Sequence, residues 1–186
     1  LDELKIEKAH IIAHSFGGIA ALKFASSDPQ RVLSLALADT QIGIGREEAE
    51  KNGWKGGDAM QEALDSCGLG LNVQDPYFGF KILTEIARFQ RDERDVPEAL
   101  YPYVKHMLNG NSKRAAEKWL QLMEETQAGA ELMEDDGLSE QELRKIACPV
   151  LAMYGEKSQA MATGHTLAAL WPQADFVTVP DSGHFF

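Results

Sequence analysis

A serine stands between an apolar run and a helix-like stretch in the segment AHSFGG, residues 13–18. Small residues two positions before and after Ser15 let a tight turn pass neighbouring strands without a Cβ clash. Such a strand–turn–helix junction projects a serine hydroxyl above the sheet edge and aims the next backbone N–H at a negatively charged oxygen. The pattern predicts Ser15 as a nucleophile and the Phe16 N–H as an oxyanion donor, and it predicts that His14 only packs. The alternative is a serine that merely caps the helix.

A histidine near the other end of the sequence supplies the base that such a serine needs. His184 closes the segment DSGH, directly after an apolar strand-like run. Neutral imidazole accepts a proton near pH 7, which suits activation of a hydroxyl nucleophile. Because Ser15 and His184 are so far apart in sequence, only a fold that joins two strand ends brings them together, as a parallel α/β sheet does. A surface histidine in a loop is the alternative.

Four apolar runs bounded by turn residues predict the strands that would position these two side chains. They cover residues 9–13, 32–38, 149–154 and 176–179, and the first has the composition of a buried strand. Helices are predicted over 16–26 and 160–171. Strand, helix and strand at this spacing form a βαβ unit, so the sequence predicts the α/β class with a parallel sheet.

The middle of the sequence has a different pattern. Residues 42–145 are rich in Glu, Lys, Gln and Met, with helical periodicity and without a convincing strand. Ser139 with Glu142 three residues later predicts a capped short helix just before the sheet pattern returns. We therefore expect core segments at 1–41 and 146–186, separated by a helical insertion.

These motifs in this order resemble the α/β-hydrolase superfamily, and the resemblance covers essentially the whole chain. It implies a partial parallel sheet of that fold with a helical cap, Ser15 as nucleophile, His184 as base and Phe16 N–H as one oxyanion donor. The family's core also has strands before the serine turn and a helix after the histidine loop. On that basis we expect the chain to be an internal fragment of a longer enzyme. Ala13 stands where the family usually has Gly.

The third member of a catalytic triad is less clear from the sequence. The family most often places an Asp a few residues after the strand predicted at 149–154, where this chain has Ser158. Three carboxylates are candidates: Asp39 after the second strand, which we favour, Glu156, and Asp181, whose place near His184 in sequence suits a loop-shaping role. Asp39 is alternatively a turn residue that closes its strand. A triad without an acid would act more slowly.

The activity implied by the resemblance is hydrolysis of a small carboxylic ester, thioester or lactone through an acyl-enzyme. The same residues would also serve hydrolysis of a C–C bond beside a ketone, as in some cap-bearing relatives. A non-catalytic binding protein of this fold is the alternative from another class, and Ser158 in place of the usual acid favours it. Fold alone does not decide among these.

Composition restricts the partners. A formal net charge of −11 disfavours nucleic acid, and no apolar run approaches the roughly 20 residues that a transmembrane helix needs. Two cysteines imply no disulfide framework, so we expect a cytoplasmic protein. The resemblance implies a small-molecule substrate. Neither metal-ligand spacing nor a nucleotide-binding glycine pattern is present, so we expect no metal and no cofactor. The oligomeric state does not follow from the sequence.

Overall fold

The computed structural model describes residues 1–44, 57–75, 77–108, 112–132, 134, 136–184 and 186. The chain forms two compact units, one made of Leu1–Asn52 with Asp135–Phe186 and the other of Gly53–Glu134. The first unit holds the sheet and the second is built of helices. The domain boundaries drawn from the sequence stay predictions.

The sheet consists of strands β1 (Ala9–His14), β2 (Val32–Ala38), β3 (Val150–Gly155) and β4 (Asp175–Val179), in the spatial order β1-β2-β3-β4. All three neighbouring pairs are parallel. Parallel strands end at the same edge of a sheet, so the loops that follow β1, β2, β3 and β4 meet there. The predicted α/β class with a four-stranded parallel sheet is confirmed.

The helices with defined bounds follow in chain order. They are α1 (Gly17–Ser27), α2 (Gly57–Ser66), α3 (Phe78–Arg91), α4 (Tyr101–Leu108), α5 (Lys113–Glu125), α6 (Ala128–Glu131), α7 (Glu140–Leu143) and α8 (Met161–Leu170). The predicted cap of α7 is present, because the Ser139 hydroxyl accepts from the Glu142 N–H at 3.2 Å. None of the described helices is both long and apolar enough to cross a membrane.

The core of the sheet unit lies between the sheet and its helices. Leu22 of α1, Leu35 and Leu37 of β2, Leu143 of α7 and Leu167 of α8 are all almost completely buried. Alternation along β2 and helical spacing in α1 and α8 place these leucines on facing surfaces. The apolar faces hold the strand ends in fixed register, which the site at the sheet edge requires.

The prediction that the first strand is buried is wrong for part of β1. Its residues alternate between partly covered and exposed, and Ile12 is 82% exposed. Among the described strands β1 pairs with β2 alone, so it is an edge strand.

The helical unit has an apolar core of its own. Met60 and Leu64 of α2, Phe78 and Ile82 of α3 and Val104 of α4 form one buried cluster. Helices α3 and α5 pack through a second cluster made of Ala87, Ala116 and Leu120. Between them the Trp119 Nε1–H donates to Thr84 Oγ1 at 3.1 Å.

Candidate active site

Ser15 lies in the turn between β1 and α1 and has a strained backbone. Its φ is +54°, in the left-handed region that costs an L-residue about 1–3 kcal/mol. Two hydrogen bonds hold the turn: the Ser15 N–H donates to Ala38 O at 2.9 Å, and the Gly18 N–H donates to Ser15 O at 3.0 Å. A Cβ added to Gly18 would lie 1.9 Å from Thr40 Oγ1, so only glycine lets α1 begin this close to the end of β2.

His184 reaches Ser15 from the loop after β4. Its Nε2 lies 2.8 Å from Ser15 Oγ, which is hydrogen-bond distance for a nucleophile and its base. The loop is held against the end of β3, because the Lys157 N–H donates to Ser182 O at 2.8 Å. The two residues that the sequence singled out at opposite ends of the chain are therefore in direct contact.

Asp39 completes a hydrogen-bonded chain with Ser15 and His184. Its carboxylate Oδ1 lies 3.0 Å from His184 Nδ1, and its Oδ2 accepts the Gly155 N–H at 2.8 Å. Asp39 is fully buried, and the backbone turns sharply at this residue with a φ of +48°. Its N–H donates to Met153 O at 2.8 Å, which continues the β2–β3 pairing. The sharp turn directs the carboxylate toward the loop of His184.

The other two candidate acids, Glu156 and Asp181, form contacts within the loops after β3 and β4, and neither of these contacts is to His184. Glu156 Oε2 accepts the Asp181 N–H at 2.9 Å, and the Asp181 carboxylate forms an exposed ion pair with Lys157 at 2.8 Å. The hydrogen bond from the Lys157 ammonium holds the pKa of Asp181 below its usual value. Glu156 and Asp181 thus shape the loop that carries His184.

Ser158 stands beside Asp39, a placement that the sequence reasoning missed. Its hydroxyl donates to Asp39 Oδ1 and accepts the Ala160 N–H at 3.1 Å. The sequence by itself shows Ser158 only as the residue that stands where the family usually places its acid. The signal that was available is position: Ser158 follows β3 at the sheet edge where Asp39 follows β2.

His14 contacts His184, although the sequence predicted only packing for it. The His14 Nε2–H donates to the backbone carbonyl of His184 at 3.1 Å, and the two ring centroids are 4.9 Å apart. His14 is the last residue of β1 and directly precedes Ser15. The strand that leads to the serine turn therefore also holds the backbone of the histidine loop.

Tyr154 supports the same strand end from inside the core. It is fully buried, and its hydroxyl donates to Thr40 O at 2.9 Å. Burial, followed by the negative charge of Asp39, raises the pKa of the Tyr154 hydroxyl. The neutral phenol therefore fixes the residue that follows Asp39.

Phe16 occupies the N-cap position of α1 with helical backbone angles. A helix N-terminus carries a partial positive charge, which favours an anion nearby. The role of the Phe16 N–H as an oxyanion donor stays a prediction. Among the residues that the structure describes, no group of three or more His, Cys, Asp or Glu side chains is placed to hold a metal ion.

A parallel sheet with a strained serine turn after one strand and a histidine loop after a later one defines a class of protein. The model of the alpha/beta hydrolase fold matches residues 1–186. The chain belongs to the alpha/beta hydrolase family.

Individual relatives match either at low sequence identity or over a short part of this chain. The acetyltransferase component of the acetoin cleaving system of Pseudomonas putida is 28% identical over 187 residues, which is 99% of this chain and 42% of that protein. A 2-hydroxy-6-oxononadienedioate/2-hydroxy-6-oxononatrienedioate hydrolase of Cupriavidus pinatubonensis is 54% identical over 37 residues, 20% of this chain and 13% of that protein. The chain thus spans less than half the length of these relatives.

Solved structures share the fold. Naproxen esterase (carboxylesterase NP) of Bacillus subtilis superimposes with a TM-score of 0.53 at 18% identity. The match covers 98% of this chain and 55% of that one. At this identity the likeness shows the fold alone.

Proposed function

We propose that the protein is a serine hydrolase that cleaves a small carboxylic ester, thioester or lactone through an acyl-enzyme. The observation that carries the proposal is the unbroken hydrogen-bonded chain from Ser15 Oγ through both nitrogens of His184 to the buried carboxylate of Asp39. A nucleophile, its base and a group that orients the base are the parts that acyl transfer by serine requires. The naproxen esterase shares only the fold with this chain, and an ester, thioester or lactone is proposed because each has the carbonyl and leaving group that acyl transfer by serine requires.

The reaction follows from the order of these contacts. His184 Nε2 takes the Ser15 proton as Oγ attacks the carbonyl carbon, and the negative charge on the carbonyl oxygen forms beside the Phe16 N–H. The imidazolium then gives its proton to the leaving oxygen or sulfur, which departs and leaves an acyl-serine. A water molecule, deprotonated by His184, attacks that ester, and the acid product and free Ser15 result. The step needs no cofactor.

Asp39 acts through His184. Its fully buried carboxylate accepts from Nδ1, which keeps the unprotonated Nε2 directed at Ser15 and stabilises the imidazolium during each transfer. Because Asp39 is shielded from water, this electrostatic contribution is larger than an exposed carboxylate would make.

Hydrolysis of a C–C bond beside a ketone is a second candidate with the same residues. The Cupriavidus pinatubonensis relative favours it, since its named substrate is a keto dicarboxylate without an ester. Assays with aryl esters and with a vinylogous keto acid distinguish the two substrate classes. The role of the helical unit as a cap and a cytoplasmic location stay predictions.

Labelling with a fluorophosphonate, followed by intact mass measurement, tests the proposal. We expect the chain to gain one phosphonyl group and the Ser15→Ala variant to gain none. Ser182→Ala is a matched control, because this serine lies in the histidine loop and its hydroxyl donates to Pro180 O. A folded chain that stays unlabelled would contradict the proposal and favour a non-catalytic binding protein.

A further inference from the structure

The Asp39 carboxylate is held by donors from two places in the fold. One donor is the His184 Nδ1–H on Oδ1. The other two, the Ser158 hydroxyl on Oδ1 and the Gly155 N–H on Oδ2, both come from the end of β3 and the loop after it. With both oxygens occupied, the plane of the carboxylate is determined by its surroundings.

Ser158 is itself oriented by the backbone around it. Its N–H donates to Gly155 O at 3.0 Å, and its Oγ accepts the Ala160 N–H at 3.1 Å. Because the Ala160 N–H occupies a lone pair of the hydroxyl, the hydroxyl hydrogen is left for the carboxylate. This arrangement gives a charge-assisted hydrogen bond of the kind that fixes the orientation of a carboxylate.

We infer that Ser158 is a positioning residue, whose hydroxyl holds the Asp39 carboxylate in the orientation that accepts from His184. The inference rests on the proposed function. In the family that this chain resembles, the loop after β3 most often carries the acid itself. In this chain the same loop carries Ser158, which supports an acid that follows β2.

Three variants of Ser158 test the inference, with the rate of phosphonyl labelling at Ser15 as the first measurement. We expect Ser158→Ala to slow labelling about tenfold, as loss of a hydrogen bond to a charged group does. Ser158→Thr keeps a hydroxyl and should stay within about threefold of the parent. Ser158→Val, which has the shape of threonine but lacks the hydroxyl, should be as slow as alanine. This threonine and valine pair also decides the matter where the alanine variant does not fold.

Ser139→Ala is the matched control. The Ser139 hydroxyl accepts from the backbone at the start of α7, much as Ser158 accepts from Ala160 before α8. The control therefore loses a cap in the same unit without losing a donor to Asp39. We expect it to lower the melting temperature and to leave the labelling rate unchanged.

The second measurement is the low-field proton NMR signal of the His184 Nδ1–H, which is independent of any reaction. His14 is the other imidazole ring against His184, so the His14→Gln variant distinguishes the two signals. Without the Ser158 hydroxyl, the Asp39 carboxylate is held less firmly against His184 Nδ1, so the signal broadens and moves upfield. Ser158→Val should show this change and Ser158→Thr should not.

The two measurements separate the inference from the proposed function. Equal labelling rates in the threonine and valine variants, or a His184 Nδ1–H signal that does not change in Ser158→Val, would overturn the role of Ser158 even if the parent is labelled. An unlabelled parent whose Nδ1–H signal moves upfield in Ser158→Val would support the role of Ser158 and refute the hydrolase. Slower labelling by Ser158→Val together with the change of the signal supports both.

Discussion

Gly155 and Gly183 pack backbone against backbone. A Cβ added to Gly155 would lie 2.1 Å from the Gly183 carbonyl oxygen, closer than any real contact permits. Gly155 ends β3, and Gly183 directly precedes His184. The absence of a side chain at the end of β3 therefore determines how near the histidine loop comes to Asp39 and Ser15.

Gly155→Ala is expected to impair the site more than the fold. The added methyl group pushes the histidine loop away, and a displacement of about 1 Å at reacting groups lowers rates about 100-fold. The measurement is the rate of Ser15 labelling, with melting temperature recorded in parallel. Gly183→Ala is the control, because nothing lies within 4 Å of a Cβ there. Parental labelling by Gly155→Ala would show that the loop tolerates the shift.

The identity of the acid is tested by three neutralising substitutions. Asp39→Asn should slow labelling about 10³–10⁴-fold, because an amide neither orients His184 correctly nor stabilises the imidazolium. Glu156→Gln and Asp181→Asn should stay within about threefold, since both carboxylates bond within the loop rather than to His184. An effect of Glu156→Gln as large as that of Asp39→Asn would show that the wrong acid has been assigned.

A carboxylate moved from the end of β2 to the loop after β3 should restore part of the labelling rate that Asp39→Asn removes. Ser158→Asp alone places two carboxylates in contact, so one of them takes up a proton and labelling slows. Combined with Asp39→Asn, the same substitution leaves one carboxylate near His184. We expect the double variant to label about tenfold faster than Asp39→Asn alone, through coupling between neighbouring sites.

The control for this exchange places the new carboxylate elsewhere. Asp39→Asn combined with Ser139→Asp puts an aspartate at the cap of α7 and should label as slowly as Asp39→Asn. If the two double variants label at the same slow rate, position 158 does not reach His184 and the exchange has failed.

Tyr154 makes the stability of the fold depend on pH at the alkaline end. In the unfolded chain a tyrosine ionises near pH 10, whereas burial raises the pKa of Tyr154 in the folded protein. The stabilisation by the neutral phenol is thus fully present below about pH 10 and is lost as the pH rises through the folded value, by about 1.4 kcal/mol per pH unit. Urea unfolding of the parent and of Tyr154→Phe at pH 7 and pH 11 measures it.

At pH 7 we expect Tyr154→Phe to lose about 1–3 kcal/mol, because the Thr40 carbonyl keeps no partner in place of the phenol. At pH 11 the gap between parent and variant should narrow. Tyr101→Phe, at an exposed tyrosine, is the control and should match the parent at both values. A gap that stays constant would mean that the Tyr154 hydroxyl does not titrate differently in the two states.

Local chemistry explains what the sequence determined by itself. The serine turn needs a strand, small neighbours and a helix in immediate succession, and all of these are visible within residues 9–26. Alternation and apolar runs likewise predict the strands of the parallel sheet. His184 is recognisable for a similar reason, since it directly follows the last strand-like run. These features depend on contacts between near neighbours in sequence, so the pattern of residues in one sequence is enough to indicate them.

Only the tertiary structure decided how the candidate groups combine. The sequence left three candidate acids, Asp39, Glu156 and Asp181. The choice among them depends on the β2–β3 register and on the sharp backbone turns at Ser15 and Asp39. Ala38 pairs with Met153, which brings Asp39 beside Gly155 and Ser158 rather than leaving it at a solvent-exposed strand end. Register and loop direction arise from packing between residues more than a hundred positions apart, and no local pattern encodes them.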